Sequence, residues 1–251
     1  MNKNARTLIV DDDKRMANTL VDIINTKGYK AEVAYSGHEA LAMVKKGLFD
    51  CVLTDIKMPV MNGVELCKAI KKKNSDLPVV MMTAYSTDRL VKEGMEQGAI
   101  ATLTKPLDIN VLLSFFSTLR KECSIVIVDD DPQFSKSLGD ILRKRSFRVT
   151  EINDSSDLGD MLRPDVQVVL LDIKLNGVTG LDVLKEIRKQ HPHLPVIMVT
   201  GYQKEMAPAI EACLKIGAYT CLYKPFEIEE LLKILTEIRH QKLGKILEQA
   251  C

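Results

Sequence analysis

Two aspartates in a row follow each of two short apolar runs, Asp11-Asp12 in one half of the chain and Asp129-Asp130 in the other. A third acid ends another such run in each half, Asp55 after VLT and Asp172 after VLL. A hydroxyl, Thr83 or Thr200, ends the next run, and an ammonium, Lys105 or Lys224, ends the one after it. Three carboxylates drawn into one cleft repel and raise each other's pKa unless a cation is supplied. Hard oxygen ligands with room for water suit Mg²⁺. With the cluster neutralised, one carboxylate can act as a nucleophile and form an acyl phosphate. The lysine and the threonine then offset charge on the transferring oxygens. Helix capping is the plainer role for an Asp here, and it suits Asp13 and Asp131. Capping accounts for one acid per helix and not for a pair.

The set occurs twice because the chain repeats itself. LIVDDD at residues 8–13 returns as VIVDDD at 126–131, and VLTDIK at 52–57 as VLLDIK at 169–174. PVVMMTAY at 78–85 returns as PVIMVTGY at 195–202, and TKPL at 104–107 as YKPF at 223–226. Four motifs in one order, 117–119 residues apart, mean a duplicated domain. The halves divide as residues 1–121 and 122–251, joined only by residues 120–122.

Each half reads strand then helix, repeatedly. In the first, strands are predicted at 7–10, 30–35, 51–54, 79–82 and 100–103, and helices at 14–26, 38–46, 63–72, 88–97 and 109–121. Short apolar strands alternating with helices indicate an α/β fold, a parallel sheet covered on both faces. Ligands of such sheets bind beyond the carboxyl ends of the strands, where all of the polar residues above lie. The closing helix of the second half, at 228–249, is long. Its apolar stripe (Leu231, Leu235, Ile238) loses register across 239–242 and resumes at Leu243, Ile246 and Leu247. Such a helix could pair with a partner or form a homodimer, or simply fray.

Composition excludes several classes. The 251 residues carry a net charge of +1 and are 46% hydrophobic, so neither a nucleic-acid face nor a polybasic membrane patch is indicated. No run of about 18 apolar residues is present, so no membrane-spanning helix is expected. The six cysteines are scattered without metal-ligand spacing, which fits a reducing, cytoplasmic location. All four histidines read as solvated surface residues, and Met81, Met82 and Met198 as core. No P-loop, helix-turn-helix or zinc-finger spacing occurs.

Taken together, both halves resemble response-regulator receiver domains of two-component signalling, over nearly the whole chain. The resemblance implies two flavodoxin-like doubly wound sheets in the order 2-1-3-4-5. It implies Mg²⁺ held by Asp12 or Asp130 directly, by Asp11 or Asp129 through water, and by Asp55 or Asp172. The carbonyl of Lys57 or Lys174 completes the set. Asp55 and Asp172 would accept the phosphoryl group, with Thr83, Lys105, Thr200 and Lys224 binding its oxygens. The Lys105–Pro106 and Lys224–Pro225 peptides would be cis. The donor would be a sensor histidine kinase or a histidine phosphotransfer protein, and the chain a regulatory phosphoacceptor rather than an enzyme. Output would pass through protein contacts or onward phosphotransfer.

Some positions depart from the family's pattern. The switch position, usually aromatic, is Thr102 in one copy and Cys221 in the other, with Tyr223 on the same strand face as a stand-in. Pro59 stiffens the loop after Asp55, whereas Asn176-Gly177 occupies that place after Asp172, so the first domain is expected to be the main acceptor. Lys57 with Tyr85, and Lys174 with Tyr202, flank the path of an attacking water and should slow hydrolysis. Two alternatives stand beside this reading: the receiver portion of a hybrid histidine kinase or a non-catalytic scaffold, and an Asp-nucleophile phosphatase. The phosphatase needs a second Asp two residues after the first, where Lys57 and Lys174 stand.

Overall fold

The computed structural model describes residues 5–84, 89–119, 123–154, 162–201 and 207–248. The chain divides into two compact units, Met1–Lys121 with Thr236–Cys251, and Glu122–Leu235. In the first, the order is β1 (Arg6–Val10), α1 (Lys14–Thr26), β2 (Lys30–Ala34), α2 (Gly37–Lys46), β3 (Cys51–Asp55), α3 (Gly63–Lys71), β4 (Val79–Thr83), α4 (Arg89–Glu96), β5 (Ala101–Thr104) and α5 (Ile109–Leu119). The second runs β6 (Ser124–Val128), α6 (Pro132–Lys144), β7 (Arg148–Ile152), β8 (Val166–Asp172), α7 (Gly180–Gln190), β9 (Val196–Thr200), α8 (Ala207–Lys215) and β10 (Thr220–Tyr223). A last helix, α9 (Ile228–Glu248), starts in the second unit and ends in the first.

Both sheets are parallel, with orders β2-β1-β3-β4-β5 and β7-β6-β8-β9-β10. Each is the flavodoxin-like 2-1-3-4-5. The inner strands β3, β4, β6 and β9 are buried along their whole length because helices cover both faces. Successive side chains then serve opposite layers. Ile9, Leu53, Val80 and Met82 enter one core with Phe115 and Phe116, while Leu8, Val10, Val52, Val79 and Met81 enter the other with Leu66 and Ile70. In the edge strand β7 only Ile152 is fully buried.

The tail of α9 departs from expectation. It neither frays nor presents a free stripe, because Leu243 and Leu247 are buried in the same core as Phe115 and Phe116. Burial of that kind stabilises by about 1.5–3 kcal/mol per side chain. Gly244 lies against the Ile100 carbonyl, and the Arg239 guanidinium donates to the Leu119 carbonyl at 3.0 Å. A homodimer through this helix therefore loses the apolar face on which it was expected. The surface reading of the histidines also fails at one place. His240 is half-buried in a cleft lined by Phe49, Asp50, Asp76 and Pro78, and its Nε2–H donates to the Asp76 carbonyl at 3.0 Å. The joint at 120–122 lies outside the described residues. Among those described, no helix is long and apolar enough to cross a membrane.

Candidate functional site

The polar residues singled out above gather at the carboxyl ends of the strands in each unit. Asp11 leaves β1 with its N–H bonded to the Ala34 carbonyl, and its Oδ1 accepts from the Asp13 N–H at 3.0 Å. Asp129 repeats this with Ile152 and Asp131. Asp13 and Asp131 cap the helices that follow, Asp13 accepting from Arg15 and Met16, Asp131 from Gln133 and Phe134. The capping acid is thus a different residue from the acid that faces the cleft.

Asp55 and Asp172 end β3 and β8, both nearly buried, and each accepts the N–H two residues on. These bonds are Lys57 N to Asp55 Oδ2 at 2.7 Å and Lys174 N to Asp172 Oδ1 at 2.9 Å. The helix after each loop packs against the strand it came from. A side chain on Gly63 or Gly180 would put its Cβ 2.3 or 2.2 Å from the carbonyl oxygen of Asp55 or Asp172, so only glycine permits the close return.

Lys105 and Lys224 reach the cleft from the ends of β5 and β10. The Lys105 ammonium bridges Asp11, at 2.8 Å, and Asp55. Lys224 bridges Asp129 at 2.5 Å and Asp172 at 2.6 Å. Both lysines precede a cis proline. Burial pushes Asp55 and Asp129 above the ordinary carboxylate range, against the pull of Lys105 and Lys224. Burial would likewise lower the two ammonium groups, but the carboxylates they bridge outweigh it and hold both above the ordinary lysine range. Each cleft thus carries more buried negative charge than one lysine neutralises comfortably.

Thr83 and Thr200 are buried at the ends of β4 and β9, and the carbonyl of each accepts the N–H of its lysine, at 2.7 and 2.8 Å. Tyr85 and Tyr202 lie outside the described residues. At the switch position, Thr102 is half-buried with its hydroxyl 3.9 Å from the Met95 sulfur, and Cys221 is half-buried beside the Leu222 carbonyl. Tyr223 is 38% exposed.

The copies differ in ways that the motifs did not announce. Carboxylate oxygens of Asp129, Asp130 and Asp172 lie within 4.8 Å of one another; among the described residues no such trio forms around Asp55. In the second unit the Phe134 ring stands 4.0 Å from the Lys224 ammonium, and Asn153 ties the Asp129 carbonyl to the Ser135 hydroxyl, both at 2.8 Å. In the first, Val60 has φ +69, and Met61 N–H donates to the Pro59 carbonyl at 2.8 Å across it. That is a γ-turn in the left-handed region, costly by about 1–3 kcal/mol for a β-branched residue. Gly177, at φ +85, holds the matching place in the second copy.

The model of the response regulator receiver domain matches residues 7–116 and again 125–236. The chain belongs to that family. It is 30% identical over 240 residues to a response regulator receiver protein of Anaeromyxobacter sp. strain Fw109-5, covering 94% of this chain and 96% of the other. It is 41% identical over 105 residues to the transcriptional regulatory protein ZraR of Salmonella typhimurium, spanning 42% of this chain but only 24% of ZraR. Among solved structures, a putative two-component system response regulator/GGDEF domain protein is 21% identical over 98% of this chain and 100% of its own, with a TM-score of 0.46. The family match and the 30% identical relative show two response-regulator receiver domains in tandem, the receiver module of two-component systems.

Proposed function

We propose that Asp55 and Asp172 each accept a phosphoryl group from a phosphohistidine. The observation that carries this is the lysine bridge, present in both receivers, that joins a buried strand-end Asp to the acid after the first strand. In the transfer a carboxylate oxygen bonds to phosphorus as the P–N bond breaks, and the imidazole nitrogen keeps the bonding pair and takes up a proton. Lys105 or Lys224 then has one anionic oxygen fewer to hold on the Asp and a new one on the phosphoryl group. The Thr83 or Thr200 hydroxyl supplies a second donor at that point.

Receiver domains bind Mg²⁺ at an acidic pocket, and the residues here fit one. The buried acids that are only partly neutralised by lysine, and the trio around Asp172, are the donor set that a hard cation wants. Asp12 with Asp55 and the Lys57 carbonyl would hold it in the first receiver, with Asp11 acting through water. Asp130, Asp172 and the Lys174 carbonyl, with Asp129, would hold it in the second. When bound, it neutralises charge on the transferring oxygens.

A histidine kinase is the general partner of receiver domains. We assign the donor here to a sensor kinase or a histidine phosphotransfer protein, and the output to protein contact or onward transfer. Lys57 and Lys174, where an Asp-nucleophile phosphatase would need a second acid, argue against that enzyme. The test is mass spectrometry after exposure to acetyl phosphate and Mg²⁺. Wild type should gain two phosphoryl groups, and Asp55→Ala and Asp172→Ala one each. Label on any other residue in the variants would refute the assignment.

A further inference from the structure

Val60 stands at the tip of the loop that follows Asp55, and 91% of it is exposed. Its backbone sits in the left-handed region at φ +69, which a β-branched residue resists. The loop is anchored on both sides of the tip, by buried Met58 and by Met61 packed along the same core. The chain then returns to the strand, Gly63 N–H donating to the Ile56 carbonyl at 2.9 Å. A glycine would relieve the strain at Val60 without removing a buried side chain, and the second receiver has that glycine, Gly177. A strained residue that contributes nothing to its own core points to a use outside the chain.

The approach to Asp55 says what that use is. A phosphohistidine must place its ring nitrogen, the phosphorus and an Asp55 carboxylate oxygen in line. The surface that carries the histidine then covers the rim of the cleft, where this loop stands. We propose that Val60 is a docking contact that selects the phosphohistidine donor for Asp55, and that Gly177 withholds the same contact at Asp172. The inference rests on reading the two aspartates as phosphoacceptors.

The readout is a ratio of labelling rates, phosphorylated kinase over acetyl phosphate. The kinase probes are the autophosphorylated cytoplasmic portions of the histidine kinases encoded in the same genome, the fastest toward Asp55 being used. Val60→Gly and Val60→Asn are compared in an Asp172→Ala background, since Asn also tolerates a positive φ. Gly177→Val is examined in an Asp55→Ala background. The ratio at Asp55 should fall about tenfold in both Val60 variants, as for loss of a central contact, and rise at Asp172 in Gly177→Val. Ratios within about twofold of the parent, even if both rates drop together, would overturn the docking role and leave only loop stiffness. If acetyl phosphate labels Asp55 and none of the kinases does, the phosphohistidine donor and the docking contact both fall. If acetyl phosphate labels neither aspartate, the phosphoacceptor assignment itself is wrong.

Discussion

A methyl group on Gly244 would stand 2.6 Å from the carbonyl oxygen of Ile100, closer than real side-chain carbons come to a backbone oxygen. The last turns of α9 lie flush against the first receiver only because this position has no side chain. Gly244→Ala should lift them, costing about 1–3 kcal/mol in urea unfolding, as overpacking does. Hydrogen exchange over residues 236–248 should speed up as well. Lys245→Ala, one exposed residue along, is the control and should leave both unchanged.

His240 makes the same docking pH-dependent. Burial, then the nearby Lys71 charge and Arg239, lower its pKa to about 4, against pulls upward from Asp76. A ring that protonates near 6.5 when free and near 4 when docked is neutral in the folded state. The unfolded chain then binds more protons between those values, so stability is full above about pH 6.5 and is lost as pH falls toward 4. The loss is at most about 3 kcal/mol, less whatever solvent reaches the ring. His240→Gln should flatten the pH dependence of stability over that window. An unchanged slope in the variant would show that His240 does not govern it.

The lysine bridges carry a prediction of opposite sign. Removing the ammonium in Lys105→Met leaves Asp11 and Asp55 buried together, which should cost on the order of 3 kcal/mol at pH 7 without added metal. Asp55 already sits above the ordinary range and should rise further, so the folded variant gains protons relative to the unfolded chain. Its stability should therefore recover as pH falls from 7 toward 5, or as Mg²⁺ is added. Thermal melts of Lys105→Met with and without 10-fold steps in Mg²⁺ would show whether recovery occurs; wild type should respond less.

Much of this was legible in the sequence for a simple reason. Strands buried on both faces are nearly unbroken apolar runs, and the residue that ends each run lies at the cleft, so the order of motifs alone puts Asp55, Thr83 and Lys105 at the strand ends. The division of labour between Asp11 and Asp13 was legible too, since capping uses one acid. Other features depend on distant contacts. The stripe of Leu243 and Leu247 says that a face is covered, but its partners Phe115 and Phe116 lie some 130 residues earlier. The same contact turns His240 from a surface residue into a half-buried one. Phe134 over Lys224 joins residues 90 apart, on two elements that no local pattern links. The strain at Val60 is a backbone angle, visible beforehand only as a valine in one copy where the other has glycine.

The two receivers should separate in metal affinity and in rate, in opposite directions. The second has its three carboxylates assembled within 4.8 Å, whereas the first must bring exposed Asp12 inward before a cation meets three acids. Assembling ligands beforehand moves that cost out of the binding step, so Asp55→Ala, which keeps the second site, should bind Mg²⁺ about three- to tenfold more tightly than Asp172→Ala, a difference of roughly 1 kcal/mol. At saturating Mg²⁺ that advantage disappears and the loop that bears the ligating carbonyl decides the rate. In the first receiver Met58 and Met61 pin it, and Asn62 and Glu65 close it with reciprocal bonds of 2.9 and 3.0 Å. In the second only Leu175 of the loop packs on the core, and Thr179 caps through Asp182 at 3.2 and 2.7 Å, while Asn176, Gly177 and Val178 stand exposed around the Lys174–Thr179 bridge. Small misplacements of a reacting group are costly in rate, so Asp172→Ala should label faster from acetyl phosphate than Asp55→Ala at saturating metal. Lys57 and Lys174 are both exposed; if each hinders an in-line water, as proposed from the sequence, both labels should last minutes or longer. Faster labelling of Asp55→Ala at every Mg²⁺ concentration would mean that ligand assembly, and not loop anchoring, sets the rate.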